Sequence, residues 1–165
     1  MIACLDVAYR TDAAVAACLL FLDWRDAAGV AELVTRTAAP AAYVPGQFFR
    51  RELPCLLHVL GRVKHPLHAI LIDGYVWLDG EGKLGLGGHL YDALNRAVPV
   101  IGVAKNRFRT GSPCREVLRG RSRRPLYVSA AGIDLNAAAG HVQAMEGPFR
   151  IPTLLQAVDR LCRET

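Results

Sequence analysis

Apolar residues in the first part of the chain fall into three runs separated by short polar turns. Residues 2–9 are apolar on both sides of an extended chain, as in a buried central strand, and residues 13–22 and 28–36 indicate two further strands. Because the connections are short, we expect the three strands to form a meander.

Beyond this meander, short apolar runs alternate with segments of helical character. Three more strands are expected, and Asp134 is expected to cap one helix. The order of elements predicts an α/β fold in a single domain, residues 1–165, with helices packed on a mixed central sheet. The predicted strands are 69–73, 99–104 and 126–130, and the helices run from Pro45 to Gly61, from about Gly88 to Arg96, from about Leu135 to Met145 and from about Thr153.

Composition is that of a folded protein, with 165 residues, 52% hydrophobic and 21% charged. No apolar run approaches the roughly 20 residues of a membrane span, and the N-terminal residues lack the basic start of a signal peptide. The five cysteines are widely spaced without a CxxC pair, which favours reduced thiols over a disulfide framework or a zinc site. We therefore expect a cytoplasmic protein without a membrane partner.

Positive charge is concentrated between residues 105 and 124, where eight lysine and arginine residues accompany the single acid Glu116. The rest of the chain is nearly balanced, since the net charge is +5. Such a segment is typical of a protein that binds a phosphate backbone, although it is also compatible with a solvated loop. The basic residues are Lys105, Arg107, Arg109, Arg115, Arg119, Arg121, Arg123 and Arg124.

Four acidic residues occupy positions that the apolar pattern assigns to the core: Asp6, Glu52, Asp73 and Asp159. Unpaired carboxylates on a core face are costly unless they are paired, protonated or bound to a metal. Simpler explanations are a turn at Asp73, an ion pair of Glu52 with Arg51 and a surface position for Asp159. Together the four acids indicate a site for Mg²⁺ or Mn²⁺, and with the basic segment they favour phosphodiester cleavage.

Several segments, spread over nearly the whole chain, match motifs of one known family. Residues 43–52 read YVPGQFFRRE, and residues 70–80 and 99–108 read ILIDGYVWLDG and PVIGVAKNRF. Residues 150–159 read RIPTLLQAVD. They resemble the Y-I-P-G-x-x-x-F-R-E, V-D-G-x-G, P-T-I-G-V-A-K and R-L-P-E-P-T-R-L-A-H motifs of the endonuclease V family.

This resemblance implies a ribonuclease H-like fold and Mg²⁺-dependent hydrolysis of a phosphodiester near a deaminated base, usually inosine, in DNA repair. Mn²⁺ is expected to substitute for Mg²⁺. Asp6, Glu52 and Asp73 match the family's metal-binding acids, and Asp159 matches a position usually filled by His. Lys105 matches the motif lysine, whose charge would stabilise the phosphate.

The resemblance also assigns residues to nucleic-acid binding. The segment Tyr43, Val44, Pro45 and Gly46 matches the wedge that separates the strands, a role suited to an aromatic ring beside a stiff proline. One segment of the family's lesion pocket consists of two small residues followed by a histidine. The matching residues in this chain are Gly87, Gly88 and His89. We expect the basic segment to contact the backbone through Arg107, Arg119, Arg121, Arg123 and Arg124.

Departures from the family pattern keep other functions open. The chain begins almost at Asp6, so the family's N-terminal helical extension is expected to be absent, and residues 78–83 replace its His-Pro-Arg segment. The alternatives are a non-catalytic or retargeted nucleic-acid-binding relative and an RNA-directed nuclease acting on inosine in RNA. DNA is favoured over RNA as the partner, and a monomer over an oligomer. No nucleotide cofactor is expected, because the glycine-rich loop at residues 74–88 lacks the spacing of phosphate-binding motifs.

Overall fold

Residues 1–38, 49–108 and 111–165 are described by the computed structural model of this chain. Within these residues the chain forms seven strands and four helices. The strands are β1 (Ile2–Tyr9), β2 (Ala13–Phe21), β3 (Ala31–Ala38), β4 (Ala69–Asp73), β5 (Val100–Ala104), β6 (Arg115–Val117) and β7 (Leu126–Ala131). The helices are α1 (Phe49–Leu60), α2 (Leu86–Ala93), α3 (Leu135–Ala144) and α4 (Thr153–Glu164).

The strands form one mixed sheet in the order β3-β2-β1-β4-β5-β7-β6. β1, β2 and β3 pair antiparallel as the predicted meander. β1 pairs parallel with β4, and β4 pairs parallel with β5, so these three central strands end at the same edge of the sheet. β7 pairs antiparallel with both β5 and β6.

Helices cover both faces of this sheet, because side chains of each strand alternate between two apolar layers. In β1, Cys4 belongs to the layer under α3 and α4, whereas Leu5 belongs to the layer under α1 and α2. β2 is buried over its whole length, as a strand covered on both faces should be. Burial on both faces fixes the register of the central strands, since a shift by one residue would exchange the two layers.

The α/β fold with its opening meander is confirmed, while several boundaries differ from the sequence prediction. β3 runs from Ala31 rather than residue 28, because residues 28–30 lie in a bend before the strand. Asp134 caps α3 as expected, its side chain accepting a hydrogen bond from the Ala137 amide at 2.9 Å. β6 was not predicted, because three residues with only Val117 buried carry no hydrophobic pattern. Among the described residues, no helix combines the length and apolar character of a membrane span.

Arg119 does not belong to an exposed basic surface, which corrects its predicted contact with nucleic acid. The residue is only 6% exposed. Its guanidinium donates hydrogen bonds to the carbonyl oxygens of Met145, Gly147, Phe149 and Arg150, at 3.0 Å for Phe149. The sequence signal failed because a basic run does not distinguish a solvated arginine from one that satisfies buried carbonyls.

Arg119 therefore holds the loop after β6 against the segment between α3 and α4. Arg119→Gln is expected to lower the free energy of unfolding by about 2–4 kcal/mol, because it leaves several carbonyl oxygens without their charged donor. Urea unfolding followed by circular dichroism measures this loss. The matched control Arg121→Gln, on the exposed part of the same loop, should change stability by less than about 0.5 kcal/mol. Equal stability of both variants would contradict this role for Arg119.

Candidate active site

Parallel pairing of the central strands brings three of the predicted site residues to one edge of the sheet. Leu5 of β1 pairs with Ile72 of β4, so Asp6 and Asp73 both follow this last pair. Asp73 pairs in turn with Val103 of β5, two residues before Lys105. The Lys105 ammonium donates to the Asp73 carboxylate at 2.7 Å.

Asp159 reaches the same edge from α4, the helix that packs against β1 and β2. Asp6 shares the sheet face of Cys4, which is the face covered by α4. Burial raises the pKa of Asp6, and the neighbouring Asp159 carboxyl group adds to this rise, so the two side chains are close in space. α4 places Asp159 here because Val158 and Cys162, on either side of it, are buried against the sheet.

Glu52 approaches from the opposite face of the sheet, on the first turn of α1. Its side chain is buried, as the helical pattern predicted, next to the apolar residues Cys55 and Leu56 of the same helix. The charges of Asp6 and Asp73 both act on Glu52, which shows that the three acids share one electrostatic environment. An acid in the first turn is also favoured by the helix dipole.

Two of the four acids titrate far from their ordinary range. Burial raises the pKa of Glu52 to about 8, and the negative charges of Asp6 and Asp73 add to the rise. Burial raises the pKa of Asp6 to about 6, and so do the neighbouring Asp73 and Asp159, against a hydrogen bond from the Val7 amide. Close acids disfavour one another's charged form, so positive charge at this edge would be stabilising.

Cations already compensate the two more exposed acids. Asp73, with 43% of its side chain exposed, pairs with Lys105, which differs from the core position that the apolar pattern suggested. Asp159 pairs with Arg163 at 2.9 Å, one helical turn later on α4. Burial lowers the pKa of the Lys105 ammonium, but its hydrogen bond and charge interaction with Asp73 outweigh this effect and leave that pKa raised. Within the described residues, Asp6 and Glu52 have no such ion pair.

A cavity of about 330 Å³ opens between these strand ends and α4. Its polar wall includes Asp6, Asp73, Lys105 and Asp159, and Ile151 and Leu155 contribute to its apolar wall. Arg160 and Arg163 line it from the exposed side of α4. Carboxylates and cations thus share the wall of one open cavity, and four of them form the ion pairs of Lys105 with Asp73 and of Arg163 with Asp159.

The donor chemistry of this site fits a hard divalent cation, since carboxylate oxygens are what Mg²⁺ prefers. Two of the acids, Asp6 and Glu52, carry raised pKa values that a bound cation would lower. Among the described residues, however, no three His, Cys, Asp or Glu side chains already form a group that could hold a metal ion. The fit therefore rests on the chemistry of the acids and on their shared electrostatic environment.

A second cavity, of about 530 Å³, adjoins the first, and Asp73 lines both. Phe49 and His89 stack in its wall with ring centroids 3.7 Å apart, and Tyr75 and Phe108 add further aromatic surface. Burial lowers the pKa of His89, against the charge of Asp92, which favours a neutral imidazole. Apart from Asp73 and Lys83, the side chains that line this cavity are aromatic or aliphatic.

Gly87 and Gly88, predicted to contact nucleic acid, are instead buried in α2. A Cβ atom at Gly87 would lie 2.8 Å from a Val76 methyl group, and one at Gly88 would lie 2.6 Å from the Val76 carbonyl oxygen. Neither glycine lines the second cavity. Their small size lets α2 approach the loop after β4, and this approach brings His89 to the cavity wall.

Of the predicted basic residues, Arg107, Arg121, Arg123 and Arg124 are exposed, while the wedge residues Tyr43, Val44, Pro45 and Gly46 lie outside the described residues. Arg107 lies 3.8 Å from Glu116, and Arg124 donates to the Asn106 side chain at 3.3 Å. Nucleic-acid contacts of these residues remain predictions.

Sequence reasoning missed Arg163 and Phe49, which the structure places at the two cavities. Arg163 lies four residues after Asp159, a spacing that pairs opposite charges along a helix and was readable in the sequence. Phe49 lies three residues before Glu52, on the same side of α1. Its contact with His89 joins distant parts of the chain, and no local signal indicates it.

Known proteins share both the sequence pattern and the fold described above. The sequence profile of the Endonuclease V family matches residues 1–117. Endonuclease V of Streptomyces avermitilis is 33% identical over 180 residues, which cover 96% of this chain and 77% of that protein.

Solved structures extend the comparison to the full fold. The crystal structure of the Streptomyces avermitilis protein superposes with a TM-score of 0.77 at 30% identity, covering 99% of this chain and 79% of the other. The catalytic domain of human Endonuclease V gives a TM-score of 0.79 at 25% identity, covering 99% and 80%. Ciona intestinalis Endonuclease V, in complex with a 23mer DNA containing an inosine followed by a ribo-adenosine, gives 0.79 at 18% identity, covering 99% and 83%. The expected ribonuclease H-like fold is thereby confirmed, and this chain belongs to the Endonuclease V family.

Proposed function

We propose that this protein is a metal-dependent endonuclease that hydrolyses a phosphodiester bond near a deaminated base. The observation that carries the proposal is the meeting of Asp6, Asp73 and Lys105 where the parallel pairing of β1, β4 and β5 ends, with Asp159 and Glu52 in the same electrostatic environment. All four of these positions carry an acid, which a decayed site would not need. The acids Asp6, Glu52, Asp73 and Asp159 would hold Mg²⁺, and Mn²⁺ would substitute.

When bound, such a cation supplies Lewis acidity to the scissile phosphate and lowers the pKa of a water molecule. The side chains of this protein do the remaining work. Lys105 lies 2.7 Å from Asp73 and places a positive charge where the phosphate gains negative charge during hydrolysis. Glu52, with a pKa raised to about 8 by burial in the metal-free protein, would bind the cation in its ionised form, because the cation would lower this pKa.

The second cavity is proposed as the site of the extruded base. Its volume of about 530 Å³ lies in the range of small-molecule sites, and the stacked Phe49 and His89 offer aromatic surface for a purine ring. Because Asp73 lines both cavities, a base held in one would position its phosphate at the other.

The nucleic-acid partner is proposed to be inosine-containing DNA, in line with the DNA bound to the Ciona intestinalis relative. That DNA contained a ribonucleotide after the inosine, so an RNA-directed activity is the second candidate. End-labelled oligonucleotides with inosine in DNA, in RNA or absent, each single- and double-stranded and incubated with Mg²⁺ or Mn²⁺, separate the two. If only the inosine-containing RNA were cleaved, RNA would replace DNA as the proposed substrate.

Asp73→Asn tests the chemistry against a purely binding function. The substitution keeps the shape of the side chain but removes a carboxylate from the proposed site, so cleavage should fall by at least about a hundredfold. Binding of the inosine oligonucleotide should persist, because one negative charge near the phosphate is gone. Single-turnover cleavage and fluorescence anisotropy measure the two effects.

The matched control is Asp12→Asn, which breaks an exposed ion pair, with Arg36 at 3.3 Å, in the bend before β2. This variant should cleave at the wild-type rate. Near-normal cleavage by Asp73→Asn in Mg²⁺ would overturn the enzyme proposal and leave the non-catalytic relative.

Mg²⁺ should stabilise the fold in a pH-dependent manner. The pKa values of Asp6 and Glu52, about 6 and about 8 in the folded chain, exceed those of unfolded carboxyl groups. The unfolded state therefore loses its protons first, and the stability of the metal-free protein falls as pH rises from about 4 to about 8. Because Mg²⁺ binds the ionised acids, the rise in Tm that it causes should grow over the same window.

Differential scanning fluorimetry with 10 mM MgCl₂ or with NaCl of equal ionic strength would measure this effect. Glu52→Gln should flatten the fall in stability of the metal-free protein above pH 6, because its side chain carries no proton that can be lost. It should also reduce the response to Mg²⁺. A response that is independent of pH and unchanged by Glu52→Gln would show that Mg²⁺ binds elsewhere.

A further inference from the structure

Phe149 is a large apolar side chain on the surface, with 66% of its area exposed. It lies between α3 and α4, outside both cavities. Most apolar side chains of this size are buried. Proteins that bind single-stranded nucleic acids combine exposed aromatic rings, on which the bases stack, with positive charges that contact the backbone.

The backbone that presents Phe149 is held in place from beneath. Its carbonyl oxygen accepts a hydrogen bond from the buried Arg119 guanidinium at 3.0 Å. The loop after β6 packs closely here, since Gly120 has a φ of +59° and a Cβ atom at that position would collide with the Pro148 carbonyl oxygen. A ring on a fixed backbone can bind a base with little loss of chain entropy.

The same segment is tied to the acidic cavity. The Arg150 guanidinium donates to the carbonyl oxygens of Lys105 and Pro125, at 2.7 Å for Pro125. Ile151, the next residue, lines the cavity that contains Asp6 and Asp73. Phe149 is therefore two residues from the cavity wall, on the side where Lys105 contacts Asp73.

Positively charged side chains are exposed on this side of the cavity. Arg121, Arg123 and Arg124 are exposed on the loop that packs against Pro148, and Arg124 contacts Asn106 beside Lys105. The nearby acid Glu146 accepts a hydrogen bond from the Thr153 hydroxyl at 2.7 Å. Exposed arginines on the loop that packs against the segment of an exposed aromatic ring match a nucleic-acid strand, whereas the centres of protein interfaces are depleted of charge.

We propose that Phe149 stacks on a base of the nucleic-acid strand next to the scissile phosphate, while Arg121, Arg123 and Arg124 bind its flanking phosphates. The proposal rests on the proposed nuclease function and adds a base contact outside both cavities. Stacking on any base is independent of sequence, so this contact would contribute affinity rather than recognition of the damaged base.

The test compares Phe149→Ala with Leu22→Ala, which removes another exposed apolar side chain, 64% exposed, at the end of β2. A fluorescein-labelled single-stranded 15-mer without inosine would be titrated with each full-length variant, without divalent metal, at several NaCl concentrations. Phe149→Ala should raise Kd by about tenfold, while Leu22→Ala leaves it unchanged. The dependence of Kd on NaCl concentration should stay the same in Phe149→Ala, because no charge is lost. It should decrease in Arg123→Gln, because one positive charge is removed.

Two further measurements identify stacking itself. In Phe149→Trp, affinity should be retained and the indole fluorescence should be quenched on binding. On an oligonucleotide with abasic sites, which keeps the phosphates but lacks the bases, wild type and Phe149→Ala should bind alike.

Equal Kd values for wild type and Phe149→Ala on the normal 15-mer would overturn the stacking proposal. So would a loss that persists on the abasic strand, or a change of oligomeric state in Phe149→Ala by sedimentation, which would assign the ring to a contact between copies. These outcomes do not decide the nuclease proposal, which is tested by the cleavage rate of Asp73→Asn.

Discussion

Parallel pairing of β1 with β4 and of β4 with β5 decides which side chains can meet in this protein. The pairing of Leu5 with Ile72 and of Asp73 with Val103 brings Asp6, Asp73 and Lys105 together where the parallel pairing ends. Burial on both faces of the sheet holds this register, since a slip by one residue would turn apolar side chains out of both layers. The two helices that supply Glu52 and Asp159 are then positioned by packing on opposite faces.

Concentrating acids at one edge creates an electrostatic cost that the molecule offsets unevenly. Asp73 and Asp159, which are more accessible to water, have Lys105 and Arg163 as partners. Asp6 and Glu52 are less accessible, and their pKa values rise instead. Functional sites often keep such uncompensated groups, because the ligand supplies the missing charge. Ionisation of these acids thus costs the fold stability, and a cation bound at the same edge would offset that cost.

Much of this arrangement was predictable from the sequence, because the responsible signals are local. The meander follows from three apolar runs, α3 from its aspartate cap, and Glu52 from helical spacing. What failed depends on contacts between distant segments. Arg119 belongs to a basic run, yet its side chain is buried. It donates hydrogen bonds to carbonyl oxygens of residues that lie 26 or more positions later in the chain. Gly87 and Gly88 matched a binding motif, but their role is defined by Val76 on the opposing loop.

A single carboxylate, Asp73, is part of the wall of both cavities. If the proposed function holds, the fit of the base and the position of the phosphate would be coupled through this residue at the end of β4. An undamaged base that enters the aromatic cavity poorly would leave its phosphate displaced, and small displacements at a reacting centre are costly. Discrimination between damaged and normal nucleotides would then appear in the rate of the bound complex more than in its affinity. Such an enzyme could move along undamaged nucleic acid, held by its arginines, without cutting it.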